Sequence, residues 1–273
     1  MALLEEFILD DNFKLTIVTV SDVKTRMICK DANVSYCILP GGYPSTYDIH
    51  KKSNRIEWEY IRDTYKPDIL QVWGTEFSHG YLALQVMEKI PSVIYMQGLI
   101  SSISRYYRGG MTYSDILKSI TPRDIIKCDW ITRSQYKYTS RSHTEAQMIK
   151  ISKNVIVENN WCATYCKLIE ENCVVHKCSL NISEHFYENN WNIDNVIPFT
   201  IMSNAAGYPI KGLHILIKAL ATVVNKYPEA KLLIPGEKSP FNRTFIQKLK
   251  ETGYSKYIIH LIKNLKLEPN IQF

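Results

Sequence analysis

The sequence contains no uninterrupted apolar run of the roughly 18 residues that a membrane-spanning helix needs. Its first ten residues, MALLEEFILD, carry acids where a secretory leader would carry Lys or Arg. A cytoplasmic location is therefore expected. The seven cysteines (Cys29, Cys37, Cys128, Cys162, Cys166, Cys173, Cys178) are odd in number and form no CxxC pair. That spacing argues against a disulfide framework and against a standard zinc module. The cluster from 162 to 178, with His176 inside it, lacks the tight ligand pairs that fix a tetrahedron, so reduced thiols are expected and no metal. A nucleophile elbow, a complete P-loop and an H-E-x-x-H pair are all missing, which leaves hydrolase readings without support. Internal repeats and low-complexity tracts are missing too. What remains is an ordinary globular composition over 273 residues, 45% hydrophobic and 22% charged, long enough for more than one small domain.

The net charge of +6 is unevenly spread. From Arg105 to Lys153 ten basic residues face four acids, an excess equal to that of the whole chain. Tyr106, Tyr107, Tyr113, Trp130, Tyr136 and Tyr138 interleave with them. Such a strip suits an anionic membrane surface, a phosphate-bearing substrate or nucleic acid, and a plain solvated face is the default alternative.

Short β-branched runs alternate with helical patterns from end to end, the signature of parallel α/β construction. Strands are predicted at Lys14–Val20, Ser35–Leu39, Ile69–Val72, Ser92–Met96 and Val155–Val157, with helices over Glu57–Tyr65 and 79–89. Gln97-Gly98 makes the turn after the fourth strand. Residues 112–150 read as helices, capped by Thr112 or Ser114 and restarted at Thr121-Pro122. Asn159-Asn160-Trp161 starts another helix, with Trp161, Tyr165 and Leu168 at helical spacing. The Asn-rich stretch 188–195 is the expected linker. A second α/β unit follows, with strands at Val196–Met202 and Lys231–Ile234. Its helices are predicted at Leu213–Tyr227, Phe241–Leu249 and Tyr254–Leu265, and a last strand begins at Ile271. The expected domains are 1–192 and 193–273.

The sharpest local signal is SNAAGYPIKG, residues 203–212, which joins a strand to an amphipathic helix. Amides at a helix N-terminus favour anions, and a nearby Lys adds a full charge. Ser203, Lys211 and Gly212 are the candidate diphosphate contacts. From spacing alone, Lys211 also fits an ordinary exposed lysine and Gly212 a simple turn residue.

Lys211-Gly212, the Leu213–Leu220 helix and the Pro228–Gly236 segment together resemble the donor domain of retaining GT-B glycosyltransferases of family 4. Upstream, Pro67-Asp68-Ile69, Trp73-Gly74-Thr75-Glu76, His79 and Ile94–Gly98 resemble the acceptor domain of bacterial members. The resemblance implies an α/β fold of the GT-B type, made of two Rossmann-like domains. The N-terminal one would lack its first strand, and the C-terminal one would be incomplete. It implies transfer of a hexose from a nucleotide diphosphate sugar to a glycan or lipid-linked acceptor, with retention of configuration and without a cofactor or metal. Peripheral contact with the inner membrane surface is compatible with it, and a nucleic-acid partner is not expected. His79 would act near the transferred sugar. Trp73, Glu76, Gln97 and Gly98 would line the acceptor side, Glu76 holding His79 or a sugar hydroxyl and Trp73 either stacking on a sugar or lying in the core. Arg141 and Glu145, at i and i+4, read as a helix surface pair.

There are departures from the family pattern. Asn204, Ala205 and Ala206 stand where an Arg is common, Gln97 replaces a His, and neither a glycine-rich first loop nor a Glu-rich donor segment is found. A copy clipped at both ends is expected, and with it the alternative of an inactive fragment or a non-catalytic binding subunit.

Overall fold

The computed structural model describes residues 10, 12–31, 33–179, 182, 184–188, 190–204, 207–235, 244, 247 and 249–273. The chain separates into two compact units, residues 1–101 with 139–190, and residues 102–138 with 191–273. The expected division at 192/193 did not foresee that segment 102–138 belongs with the C-terminal residues.

Among the described residues, the first unit holds two sheets. In one, β1 (Leu15–Val20) pairs in parallel with β3 (Val34–Leu39), and β2 (Met27–Asp31) adds to β3 antiparallel. All five β2 residues are exposed, so the strand carries no apolar period, and the sequence did not reveal it. The other sheet runs β4 (Leu70–Trp73), β5 (Ser92–Tyr95), β6 (Asn154–Val157), β7 (Val174–Lys177), all parallel and in chain order. Helix α1 (Lys52–Tyr65) turns Trp58 and Ile61 inward at helical spacing. It ends on Lys66 in the left-handed region (φ 44°), just before Pro67. Helix α2 (Ser78–Val86) lies so close to β4 that a Cβ on Gly80 would stand 2.7 Å from Val72 Cγ1. Only glycine allows that approach.

Helix α3 (Ile100–Tyr106) follows β5, and the unit boundary at 101/102 falls inside it. Thr112 caps α4 (Tyr113–Ser119), accepting from Asp115 N at 3.1 Å. Thr121 and Asp124 form a reciprocal capping box on α5 (Pro122–Lys127). The boundary at 138/139 lies within α6 (Ile131–Ser152). Asn159 caps α7 (Asn160–Ile169) through Cys162 N at 2.9 Å. The buried face of α7 is Cys162 and Cys166; of the three residues expected at helical spacing, Tyr165 packs partly buried on the same cluster, and Trp161 and Leu168 are exposed. All seven cysteines are free, and Cys162, Cys166 and Cys173 belong to one apolar cluster with Ile94, Met148 and Val155.

In the second unit, β8 (Thr200–Met202), β9 (Lys231–Leu233) and β10 (Ile271–Gln272) make a parallel sheet in the order β10-β9-β8. β8 is shorter than the expected 196–202 because Pro198 has no N–H and Phe199 adopts φ 56°. Helix α8 (Leu213–Lys226) buries Leu213, Ile217 and Leu220, and α9 (Gly253–Asn264) buries Ile258 and Ile262. Tyr107, Met111, Ile116 and Ile131 from segment 102–138 join them in one core. Burial of each such side chain is worth about 1.5–3 kcal/mol, which explains why the segment folds onto this sheet. The helix expected over Phe241–Leu249 lies largely outside the described residues. No helix among the described residues is long and apolar enough to cross a membrane.

Candidate functional site

The loops that follow β4 and β5 hold most of the predicted residues of the first unit. Trp73 ends β4 and stacks on Tyr95 of β5, with ring centroids 4.8 Å apart and planes at 13°. The Trp73 side chain is half exposed, so it is not a core residue. The Tyr95 hydroxyl donates to Glu158 at the end of β6 at 2.9 Å, and burial together with that carboxylate pushes the phenol up to about 12. Gly74 breaks the strand with φ +85°, its N–H held by Tyr95 O at 2.9 Å. A Cβ there would collide with the Glu76 carboxylate and stand 3.2 Å from Gln97 Oε1. Trp73, Glu76 and Gln97 therefore gather around one glycine at the carboxyl ends of two adjacent parallel strands, where open α/β sheets bind ligands. Gly98 follows directly in the same loop and is partly exposed.

His79, in the first turn of α2, lies between aromatic rings, 6.2 Å from Tyr47 and 6.2 Å from Phe77. Its Nδ1 is buried without a partner, and burial pulls its pKa down to about 4. It is a neutral imidazole near pH 7. Among the described residues no hydrogen bond joins it to Glu76, which sits instead beside Gly74 and Gln97.

Glu145 was expected on a helix surface, and that expectation is wrong. The residue is fully buried on the inner stripe of α6 with Met148 and Ile149. Its Oε2 accepts from Thr75 Oγ1 at 2.8 Å and from Ile100 N at 2.9 Å, and Oε1 accepts from Ser101 N at 3.2 Å. One carboxylate thus ties the β4 loop to the N-terminus of α3. Burial raises its pKa, against the lowering effect of these donors. Arg141, its supposed partner, lies 5.1 Å over the Phe77 ring. The i, i+4 spacing showed that the two share a helix face but not which face is covered.

The second unit places its predicted residues at the carboxyl end of β8 and the start of α8. Ser203 follows β8, its N–H bonded to Leu233 O at 3.0 Å. Pro209–Lys211 form a single 3-10 turn, and Gly212 (φ +79°) starts α8. The Lys211 N–H donates to Tyr208 O at 3.1 Å and the Gly212 N–H to Pro209 O at 2.9 Å, so both are used inside the turn. The Lys211 ammonium is exposed, 5.7 Å from the Tyr208 ring centroid. One turn on, His214 is buried: Nε2 meets Gly109 O at 2.8 Å and Nδ1 meets the Tyr254 hydroxyl at 3.0 Å. Gly109 has φ +58°, and a Cβ on it would collide with Pro209 O. The adjacent Gly109-Gly110 pair was the overlooked signal for this close approach. Among the described residues no group of three His, Cys, Asp or Glu side chains is placed to hold a metal ion.

No family model and no curated protein matches the chain. Solved structures do match. Sucrose-phosphate synthase from Thermosynechococcus elongatus aligns over 95% of this chain with a TM-score of 0.53 and 12% identity. A UDP-forming α,α-trehalose-phosphate synthase from Burkholderia xenovorans aligns over 95% with a TM-score of 0.50 and 10% identity. The fold is of the GT-B type. The chain spans 60% of the length of the first of these GT-B proteins and 72% of the second.

Proposed function

We propose that this GT-B chain is a glycosyltransferase that moves a hexose from a nucleotide diphosphate sugar to a hydroxyl of a glycan or lipid-linked acceptor in the cytoplasm, with retention and without metal. The observation that carries the reading is the gathering of Trp73, Gly74, Glu76 and Gln97 at adjacent strand ends of a GT-B fold. An exposed aromatic face offers a stacking surface for a sugar ring, while a carboxylate and an amide beside it offer acceptors and donors for hydroxyls. Gly98 leaves the backbone of that loop accessible. The lowered pKa of His79 suits it to hydrogen-bond a hydroxyl as a neutral group rather than to serve as a cation.

On the donor side, the Lys211 ammonium neutralises charge that develops on the leaving diphosphate, and the start of α8 adds its dipole. Gly212 keeps that turn free of a side chain, and Ser203 supplies a hydroxyl at the end of β8. A second reading, a binding subunit without catalysis, is favoured by the internal use of the Lys211 and Gly212 amides, which leaves fewer donors for a diphosphate.

Titration calorimetry of the chain with UDP and UDP-glucose, beside an assay for sugar transfer to added acceptors, tests both. Binding that falls about tenfold or more in Lys211→Ala, the scale of one lost charged hydrogen bond, supports the donor site. Binding without transfer supports the second reading, and no binding to any nucleotide sugar overturns both.

A further inference from the structure

We propose that Tyr47, Trp58 and His79 enclose one water molecule, and that through it Tyr47 and Trp58 hold His79 as the tautomer protonated on Nε2. The consequence for chemistry rests on the reading of His79 as a sugar contact, whereas the arrangement itself needs no ligand. Among the described residues, three buried polar atoms of the first unit have no hydrogen-bond partner: the Tyr47 hydroxyl, Trp58 Nε1 and His79 Nδ1. Tyr47 and Trp58 are only 6% and 3% exposed and belong to one core cluster. Burial pushes the Tyr47 phenol up to about 12, against a lowering by the neighbouring Trp58 N–H, yet the two form no hydrogen bond of good geometry. The Tyr47 and His79 rings meet edge to face, with centroids 6.2 Å apart and planes at 80°. The second ring beside His79, Phe77, has no polar atom to offer Nδ1.

Tyr47 is held in place from several sides. It follows the 3-10 turn Pro44–Thr46, and its carbonyl accepts from the Ser78 hydroxyl at 3.0 Å, which ties it to the residue before His79. Gly41 (φ +132°) lies so close to the ring that a Cβ would stand 2.7 Å from Tyr47 Cε2. Buried polar atoms are nearly always satisfied, and a buried water typically makes about three hydrogen bonds to groups that lack other partners. Counting protons then fixes the tautomer. The indole N–H can only donate, and the phenol proton has no other acceptor among the described residues. A water that accepts from both has used its two lone pairs, so it donates to His79 Nδ1, and the ring proton sits on Nε2. The opposite tautomer would bring a third donor and leave the phenol proton without an acceptor. Nε2 makes no hydrogen bond among the described residues and, unlike Nδ1, is not enclosed. His79 thus offers a ligand a donor and no acceptor: it can give a hydrogen bond to a sugar oxygen but cannot take a proton from an attacking hydroxyl.

The test is NMR of the full chain, without ligand, carrying isotope-labelled histidine and tryptophan, with His79→Gln to assign the His79 signals. A single tautomer protonated on Nε2 is expected, together with a nuclear Overhauser contact from water to the Trp58 indole proton. Tyr47→Phe removes one donor. It should admit the second tautomer and lower the midpoint of thermal unfolding by about 2 °C or more, the scale of one buried hydrogen bond in a chain of this size. A dry pocket predicts the opposite sign, because phenylalanine then only removes an unsatisfied hydroxyl. A proton on Nδ1 in the wild-type chain, no water contact at Trp58, or a Tyr47→Phe chain with unchanged His79 signals or an unchanged or raised midpoint overturns the proposal. The two wild-type measurements decide it even where Tyr47→Phe does not fold. No sugar or nucleotide is present, so failure here leaves the sugar-transfer reading standing, and absence of nucleotide-sugar binding leaves the enclosed water standing.

Discussion

Glu145 offers the sharpest test of how the strand-end loops are held. Replacing it with Ala strands two buried donors, the Thr75 hydroxyl and the Ile100 N–H, together with the part-buried Ser101 N–H and the Tyr165 hydroxyl. An unsatisfied buried donor costs about 1–3 kcal/mol, so the loss should be about 3–6 kcal/mol after partial relaxation. Glu145→Gln keeps one acceptor oxygen, able to serve Thr75 and Ile100, but turns an NH2 group toward the Ser101 N–H. That single mismatch should cost about 1–3 kcal/mol. Urea unfolding followed by circular dichroism, repeated between pH 4 and 7.5, measures both the size and the pH dependence.

Burial raises the folded pKa of Glu145 above its unfolded value, so between the two the folded state holds the extra proton. Stability from this group is then fully present below the unfolded pKa and is lost as pH rises through the folded one. Glutamine cannot titrate, so the gap between the wild-type chain and Glu145→Gln should narrow with rising pH in that window. A gap that widens would show that the donors outweigh burial, and a Glu145→Ala cost below about 1 kcal/mol would refute the bracing role altogether.

The His79 ring should remain neutral through pH 5–8 in a histidine NMR titration, because burial holds its pKa near 4. Since the unfolded chain takes up the proton first, stability from this group falls as pH drops below the ordinary histidine value and is gone below the folded one. Gly109→Ala should cost about 2 kcal/mol or more, combining left-handed strain with a clash against Pro209 O. Gly110→Ala, at φ +85° with nothing within 4 Å of the added carbon, should cost only about 1–2 kcal/mol. Equal losses for the two in thermal melts would count against close packing of that loop on α8.

Much of the fold was legible because its signals are local. Parallel strands covered on both faces are mostly apolar and β-branched, so β1, β3, β5 and β6 stand out as runs, and the caps at Thr112, Thr121 and Asn159 are read from side chains that satisfy the first free amides. β2 was missed because none of its side chains is buried. β7, with only one position even partly covered, carried hardly more pattern. At α7 periodicity held only in part: Tyr165 packs on the core beside two cysteines, while Trp161 and Leu168 are exposed.

From the sequence alone came the α/β alternation, the helix starts and the family resemblance that singled out Trp73, Glu76, Gln97 and Lys211, because each rests on neighbours a few residues away. Tertiary structure decided what depends on distant partners. It put Glu145 beneath the β4 loop, joined Gly109 to Pro209 and His214, and gave segment 102–138 to the C-terminal sheet. The reason is physical: a charge or an apolar stripe has no meaning along the chain until burial assigns its surroundings, and burial is set by residues far apart in the chain, 105 positions between Gly109 and His214.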